Sequence, residues 1–272
     1  MSFEYTPREK LRVALASLLG VHLDPIGHGD LAVVCVWAAI YAVQLAAVLY
    51  ALRHRKYPPI ESCQPVLMAL FYAAGVLWYV GDITSNELVH LDRRPLTNCM
   101  FVIVWMRSAL GQNMLFALLV YRCILLWFAY RNKAALTRTA LLSFAVLVLA
   151  AVLVPAIVSS FLPETKTVQY ISGMDVCQFN ATYKAAVVTL TWLSLGSLMA
   201  VSVLLNATLR CVHGEHRRMA AACVPLAVSA AFHTVIFFRK PMYPASFSWR
   251  VAVVSIDQAS VLCAWWIIMG HA

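Results

Sequence analysis

Seven apolar stretches dominate this sequence, and each is long enough to cross a lipid bilayer. A transmembrane helix needs about 20 mostly apolar residues, because the hydrocarbon core is about 30 Å thick. Short charged clusters and prolines separate the stretches sharply. We therefore predict an all-α, polytopic membrane bundle with seven transmembrane helices, at residues 31–52, 62–84, 99–129, 137–161, 184–209, 219–238 and 249–270.

The composition excludes an ordinary soluble domain and gives no sign of a nucleic-acid partner. The chain is 62% hydrophobic and only 12% charged, whereas soluble domains carry about 25% charged residues. The net charge of +9 comes from Lys and Arg in short clusters between apolar spans, where membrane proteins keep them. The lipid bilayer is thus a predicted partner, and a multi-pass protein of the plasma membrane or an endomembrane is the predicted localisation.

An N-terminal segment, residues 1–30, precedes the membrane domain, residues 31–270. Between Pro7 and Gly20 its apolar residues are spaced as in a short amphipathic helix, which would lie on the bilayer surface or cap the bundle. A mitochondrial presequence is the alternative, and Glu4 and Glu9 argue against it. We place the N-terminus outside, although Lys and Arg fall in equal numbers on the two sides and do not decide the orientation.

Two of the eight cysteines differ from the rest. Cys99 opens the third span, and Cys177 lies in the longest loop, between the fourth and fifth spans. Both belong to the same predicted face, and if that face is exoplasmic a disulfide can form and constrain the loop. Two unpaired thiols are the alternative. In the same loop, the Asn180-Ala181-Thr182 sequon is a weak glycosylation signal.

Ionisable residues inside the spans are the best pointers to function, because a charge in lipid is costly. Arg107 and Asp257 lie about 12 and 13 Å below the outer ends of the third and seventh spans, at 1.5 Å per residue. Asp82 and His233 lie at similar depth in the second and sixth spans. These four residues form a candidate ligand-binding pocket. The alternative is an Arg107–Asp257 ion pair that only fixes helix register.

Arg122 is a second candidate, at the other end of the third span. It lies about 35 Å below Cys99 along the helix, and so reaches the inner face. There it would contact a cytoplasmic partner or extend to the lipid phosphates.

The sequence gives little support for an enzyme or for a cofactor-dependent protein. We therefore predict no enzyme activity, no cofactor and no metal. The sixth and seventh spans contain no mid-membrane lysine for a retinal Schiff base. The histidines are scattered among loops and span ends, without zinc-ligand spacing in any span. A small-solute transporter is one alternative, although such a protein would usually show related halves and none are visible. A structural or assembly subunit of a larger membrane complex remains an alternative.

The third and seventh spans carry a family likeness. Cys99–Trp105, Gly111 and the stretch 121–133, which begins Tyr-Arg-Cys, resemble the third span of the seven-transmembrane regulator-of-G-protein-signalling proteins of plants and fungi. That family also has a cysteine before its fifth span, as at Cys177, and a motif similar to 248–252 in its seventh. Its GTPase-accelerating domain follows the seventh span, whereas this sequence ends at Ala272. The resemblance therefore implies a receptor-like bundle coupled to a heterotrimeric G protein, but not GTPase acceleration.

Overall fold

Within the residues that it describes, the computed structural model has seven helices long and apolar enough to cross a membrane, which confirms the all-α prediction. The structure describes residues 6–18, 23–90, 98–131, 138–171, 176–208, 215–239 and 246–270. The first two spanning helices are α2 and α4, the third consists of a π-helix continued by α5, and the others are α6 to α9. Their bounds are α2 His28–Arg53, α4 Pro65–Ser85, π-helix Met100–Asn113, α5 Met114–Arg131, α6 Arg138–Phe161, α7 Ala181–Thr208, α8 Glu215–Arg239 and α9 Phe247–Met269.

Several helix starts differ from the sequence prediction by a few residues, and two of them have a clear local reason. Gln64 has a φ of 54°, and this left-handed residue separates the short helix α3, Pro58–Ser62, from α4. The fifth span begins at Ala181 rather than residue 184, because the Asn180 Oδ1 accepts a 2.9 Å hydrogen bond from the Thr182 N–H and caps the helix. Asn180 thus has a structural role, and its glycosylation stays a prediction.

A small β-hairpin lies over one end of the bundle, which we call the hairpin end. Strands β1, Val168–Ile171, and β2, Val176–Phe179, pair antiparallel with Tyr170 opposite Cys177. Cys177 forms a disulfide with Cys99, with the two Cα atoms 5.7 Å apart, which confirms the predicted pair. The bond attaches the hairpin to the start of the π-helix.

The amphipathic segment forms helix α1, Pro7–Leu18, and residues 19 and 20 of the predicted helix lie outside the described residues. Its polar side faces the protein: Glu9 and Arg12 are buried, whereas Leu11 and Leu18 are exposed. Of the two sequence interpretations, contact with the bundle end is therefore the one that the buried face fits. An apolar face on the outside of the helix suits the membrane interface.

Helix α4 and the π-helix make the closest backbone approach that bears on the functional residues. A Cβ placed on Gly81 would lie 2.6 Å from the Cβ of Arg107, and one on Gly111 would lie 2.7 Å from the Cα of Trp78. Real Cβ atoms do not come so near other heavy atoms, so both positions require glycine. The π-helix, a rare form that occurs frequently at functional sites, is thereby held directly against the last turns of α4.

We expect Gly81→Ala to destabilise the protein by about 1–3 kcal/mol, because the new methyl overlaps the Arg107 backbone. Gly196→Ala in α7 is the matched control, since an added Cβ there meets no atom within 4 Å. That control should leave stability unchanged or slightly raise it, because alanine favours a helix. Thermal unfolding in detergent measures both. Equal unfolding temperatures for the two variants would contradict the close approach.

Candidate functional site

The structure brings the four predicted pocket residues together into one buried group, which we call the charge cluster. Asp82 comes from the end of α4, Arg107 from the π-helix, His233 from α8 and Asp257 from α9. None is more than 8% exposed, and both carboxylates are completely buried. Four spanning helices therefore meet through charged side chains in the half of the bundle that lies nearer the hairpin end.

Within the charge cluster, Arg107 pairs mainly with Asp82 rather than with Asp257. Its Nε and Nη2 atoms lie 3.1 and 3.0 Å from the Asp82 Oδ1, whereas its Nη2 is 3.9 Å from the Asp257 Oδ2. The contact at Gly81 explains this preference, because it places the Arg107 backbone beside the residue that precedes Asp82. The predicted Arg107–Asp257 pair exists, but it is the longer of the two.

His233 has two competing partners at one ring nitrogen. Its Nε2 lies 2.5 Å from the Asp257 Oδ2 and 3.1 Å from the Arg107 Nη2. A nitrogen that carries a proton can donate to the carboxylate, and one without a proton can accept from the guanidinium, but it cannot do both. The two hydrogen bonds therefore exclude each other. The charge cluster has two hydrogen-bonding arrangements for the same set of side chains.

Neutral polar residues complete the cluster, and the sequence analysis missed them. The Asp82 oxygens accept hydrogen bonds from the Asn86 Nδ2 at 2.6 Å and the Gln258 Nε2 at 3.1 Å. The Ser229 hydroxyl donates to the Asp257 Oδ1 at 2.5 Å. The Tyr41 hydroxyl, from α2, donates to the Gln258 Oε1 at 2.7 Å. The sequence did contain one signal for these residues, because Gln258 is a polar residue adjacent to Asp257 inside an apolar span.

Three members of the cluster have the residue types of a metal site. One ligand atom each from Asp82, His233 and Asp257 lie within 4.8 Å of one another. The Arg107 Nη2 approaches all three side chains, at 3.0 to 3.9 Å. The guanidinium thus occupies the position between the ligands, and a metal ion would have to displace it. The Arg107 guanidinium is therefore the cation that these three side chains contact in this structure.

A narrow cleft leads from the hairpin to the charge cluster. It runs between the π-helix, α7 and α8, with Phe179 of β2 at one end and Arg107 and His233 at the other. Thr191 of α7 and Phe237 of α8 line its sides. The free volume of the cleft is about 20 Å³, which is room for about one water molecule. In this arrangement the cleft is too small for an organic ligand.

Two further groups of buried charges tie the N-terminal segment to the bundle at the hairpin end. The Arg250 Nε and Nη2 lie 3.1 and 3.2 Å from the Asp30 oxygens, and the Arg250 side chain is fully buried between α2 and α9. Arg12 of α1 pairs with Glu9 at 2.9 Å and also with Glu87. Glu87 follows α4 in a left-handed conformation, with a φ of 55°. Both groups lie outside the charge cluster.

Arg122 lies at the opposite end of the bundle and is only 2% exposed. Its guanidinium donates a hydrogen bond to the Cys63 backbone carbonyl, just before α4. In this structure the side chain therefore neither extends to lipid headgroups nor presents a surface to a partner. Contact between Arg122 and a cytoplasmic partner stays a prediction, and it requires this end of α5 to move away from Cys63.

No protein-family model and no curated protein matches this chain. Chemically, the charge cluster offers a buried guanidinium, two carboxylates and an imidazole that is shared between them. The geometry is that of a buried polar junction between helices with two alternative hydrogen-bonding patterns.

Proposed function

We propose that the chain is a receptor-like membrane sensor, in which the charge cluster is the switching element. The observation that carries this proposal is the position of the His233 Nε2, which faces a donor on the π-helix and an acceptor on α9 and can satisfy only one. Switches in proteins depend on an element with two discrete arrangements that a signal can bias. A junction of four spanning helices is well placed to pass such a change along the bundle.

The proposed signal enters from the hairpin end. The disulfide forms and persists in oxidising compartments, so we assign the hairpin end and the N-terminus to the exoplasmic side of the plasma membrane or an endomembrane. From there the cleft reaches Arg107 and His233. A stimulus that widens the cleft or changes its charge would favour one hydrogen-bonding pattern. The helices that carry the cluster would then shift at the opposite end.

The proposed partner at the opposite end is a heterotrimeric G protein. Support comes from the third-span and seventh-span motifs shared with the plant and fungal receptor-like proteins. The same π-helix that carries Arg107 continues directly into α5, which carries Arg122 halfway along its length and ends at Arg131. A change at Arg107 is therefore transmitted along one continuous helix to the surface proposed for coupling.

The experiment is guanine-nucleotide exchange on purified Gα, with the protein in lipid nanodiscs. Asp82→Asn weakens the strongest bonds of Arg107 while keeping the side-chain size, and should change the basal exchange rate several-fold. Asp30→Asn is the matched control, because it breaks a buried Asp–Arg pair outside the charge cluster. The control should lower stability and leave exchange unchanged. Equal exchange rates with and without the protein, for every variant, would contradict G-protein coupling.

A structural subunit of a larger membrane complex is the second candidate. It is favoured by the extra buried pairs at the hairpin end: Arg250–Asp30 joins α9 to α2, and Arg12–Glu87 joins α1 to the segment that follows α4. In that function the charge cluster only fixes helix register. Purification in mild detergent distinguishes the two, since a subunit returns with a constant set of other membrane proteins and a receptor returns alone or with Gα.

A further inference from the structure

The imidazole of His233 presents its two nitrogens to different surroundings. The Nε2 faces the charge cluster, where the Asp257 Oδ2 and the Arg107 Nη2 compete for it. The Nδ1 has no hydrogen-bond partner in the described part of the chain, yet it is not fully enclosed by protein atoms. The residue keeps 8% of its surface exposed and lines the cleft below the hairpin. The cleft is therefore the side from which the ring can take up a proton.

The cleft has the size and the lining that suit water. Its free volume of about 20 Å³ matches the room that one water molecule needs. A buried water also needs two to four polar partners. The side chains of Ser108, Gln112 and Thr191 line the cleft together with His233, and they supply such partners. A proton carried by water is thus a signal that this small space can accommodate.

Protonation removes one of the two hydrogen-bonding arrangements of the charge cluster. A neutral imidazole either donates from Nε2 to Asp257 or accepts there from Arg107. The imidazolium has a proton on each nitrogen, so its Nε2 can only donate. It also places a positive charge beside the Arg107 guanidinium, whose Nη2 lies 3.1 Å from the ring nitrogen, and like charges this close repel. Acid therefore retains the bond to Asp257 and breaks the contact with Arg107.

We propose that the signal sensed by this protein is a proton, which His233 binds from the cleft and which separates the imidazole from Arg107. While Nε2 donates to Asp257, Nδ1 carries a lone pair. A hydronium ion in the cleft gives its proton to that lone pair and leaves as water. Binding holds α8 to α9 and releases it from the π-helix. The role of the proton as the signal rests on the proposed function, whereas its uptake by His233 can be measured alone.

Other charged groups lie near the ring and must be separated from it in any titration. Asp82 of α4 lies 3.0 Å from the Arg107 guanidinium, and its carboxylate can also take up a proton. From α7, the Lys184 ammonium lies 5.7 Å from the centre of the Phe237 ring, which is itself 5.7 Å from the centre of the His233 ring. Apart from Arg107 and His233, the described residues place no ionisable side chain along the cleft. The measurement must therefore observe the imidazole nitrogens directly.

The first experiment measures the protonation of the ring. Solid-state NMR of the full chain in lipid vesicles with EDTA, using ¹⁵N-labelled histidine and arginine, distinguishes protonated from bare imidazole nitrogens. The His233 signal is identified in the parent by its correlation with the Arg107 guanidinium, and by its absence in His233→Gln. We expect two protonated nitrogens at pH 5 and one at pH 8, the range over which histidine titrates. An unchanged number over this range would overturn the proposal.

The second experiment uses the same samples to follow the contact between the two side chains. Magnetisation passes between the His233 Nε2 and the Arg107 Nη2 because they lie only 3.1 Å apart. We expect this transfer at pH 8 and its loss at pH 5, where the two cations repel. Transfer that persists at pH 5 on a doubly protonated ring would show that the proton does not open the contact, and would overturn the proposal. Neither measurement depends on whether His233→Gln folds.

The third experiment repeats the Gα exchange assay at the two pH values. The parent should show a pH-dependent exchange rate, and His233→Gln should lose that dependence. His90→Gln is the matched control, because His90 is an exposed histidine at the hairpin end, 3.7 Å from the Glu9 carboxylate, and should respond like the parent. Loss of the response in His90→Gln instead would overturn the assignment to His233. Ring protonation and loss of the Arg107 contact without any exchange would contradict G-protein coupling and leave proton binding established.

Discussion

Arg107→Met is expected to destabilise the protein by about 3–5 kcal/mol, because it leaves two carboxylates buried without their cation. Methionine has a similar length and no charge, so the loss is electrostatic rather than a loss of volume. Arg53→Met, at the exposed end of α2, is the control for removing an arginine and should change stability little. Thermal and denaturant unfolding in detergent measure both.

A double-mutant cycle then assigns the partner of Arg107. Because Arg107 lies 3.0 Å from Asp82 and 3.9 Å from Asp257, the coupling with Asp82→Asn should exceed the coupling with Asp257→Asn. The Arg107→Met, Asp82→Asn double variant should recover much of the stability lost in the single arginine variant. Zero coupling in both cycles would show that these side chains do not meet.

Loss of the Cys99–Cys177 disulfide should cost about 2–4 kcal/mol. The bond closes a loop of 78 residues, for which chain entropy alone gives about 4.5 kcal/mol. The spans inserted in the bilayer already restrict the unfolded chain, so the measured value should be lower than that figure. Cys99→Ser, Cys177→Ser and the double variant should be equally destabilised, because each breaks the same bond. Unfolding under non-reducing conditions measures the loss.

Cys263→Ser is the control for this series, since Cys263 is a free, exposed thiol in α9. It should unfold like the parent. If the parent itself is alkylated at Cys99 and Cys177 without a reductant, the hairpin end faces a reducing compartment. The N-terminus would then lie on the cytoplasmic side, and the proposed direction of signalling would be reversed.

The sequence predicted the features that depend on position along a helix. Span number follows from hydrophobic length, because lipid requires about 20 apolar residues per crossing. The shared depth of Arg107 and Asp257 follows from the constant rise of a helix. The Cys99–Cys177 pair was predicted because both residues lie at the same face. Each of these predictions requires only the position of the residues along the membrane normal.

What the sequence did not predict depends on lateral arrangement. Which carboxylate is nearer to Arg107 is determined by the backbone contact at Gly81, and no hydropathy pattern contains that contact. The π-helix is invisible in composition, since its residues are as apolar as those of an α-helix. The role of Gln258 depends on Tyr41, a residue of a different helix far along the chain. Contacts between helices depend on how the helices pack side by side, and hydropathy along the sequence does not record that packing.

The central claim is that a change in the charge cluster alters the opposite end of the bundle. Spin labels are placed at positions 53 and 217, at the opposite-end termini of α2 and α8. The distance between the two labels is then measured in nanodiscs. Cys35 and Cys263 are first replaced by serine because both are exposed thiols, and Cys211 is replaced as well because it lies outside the described residues. The account predicts that Asp82→Asn shifts the distance distribution relative to the parent, whereas Asp30→Asn does not. Identical distributions in a folded Asp82→Asn variant would contradict the account and leave the cluster a fixed structural junction.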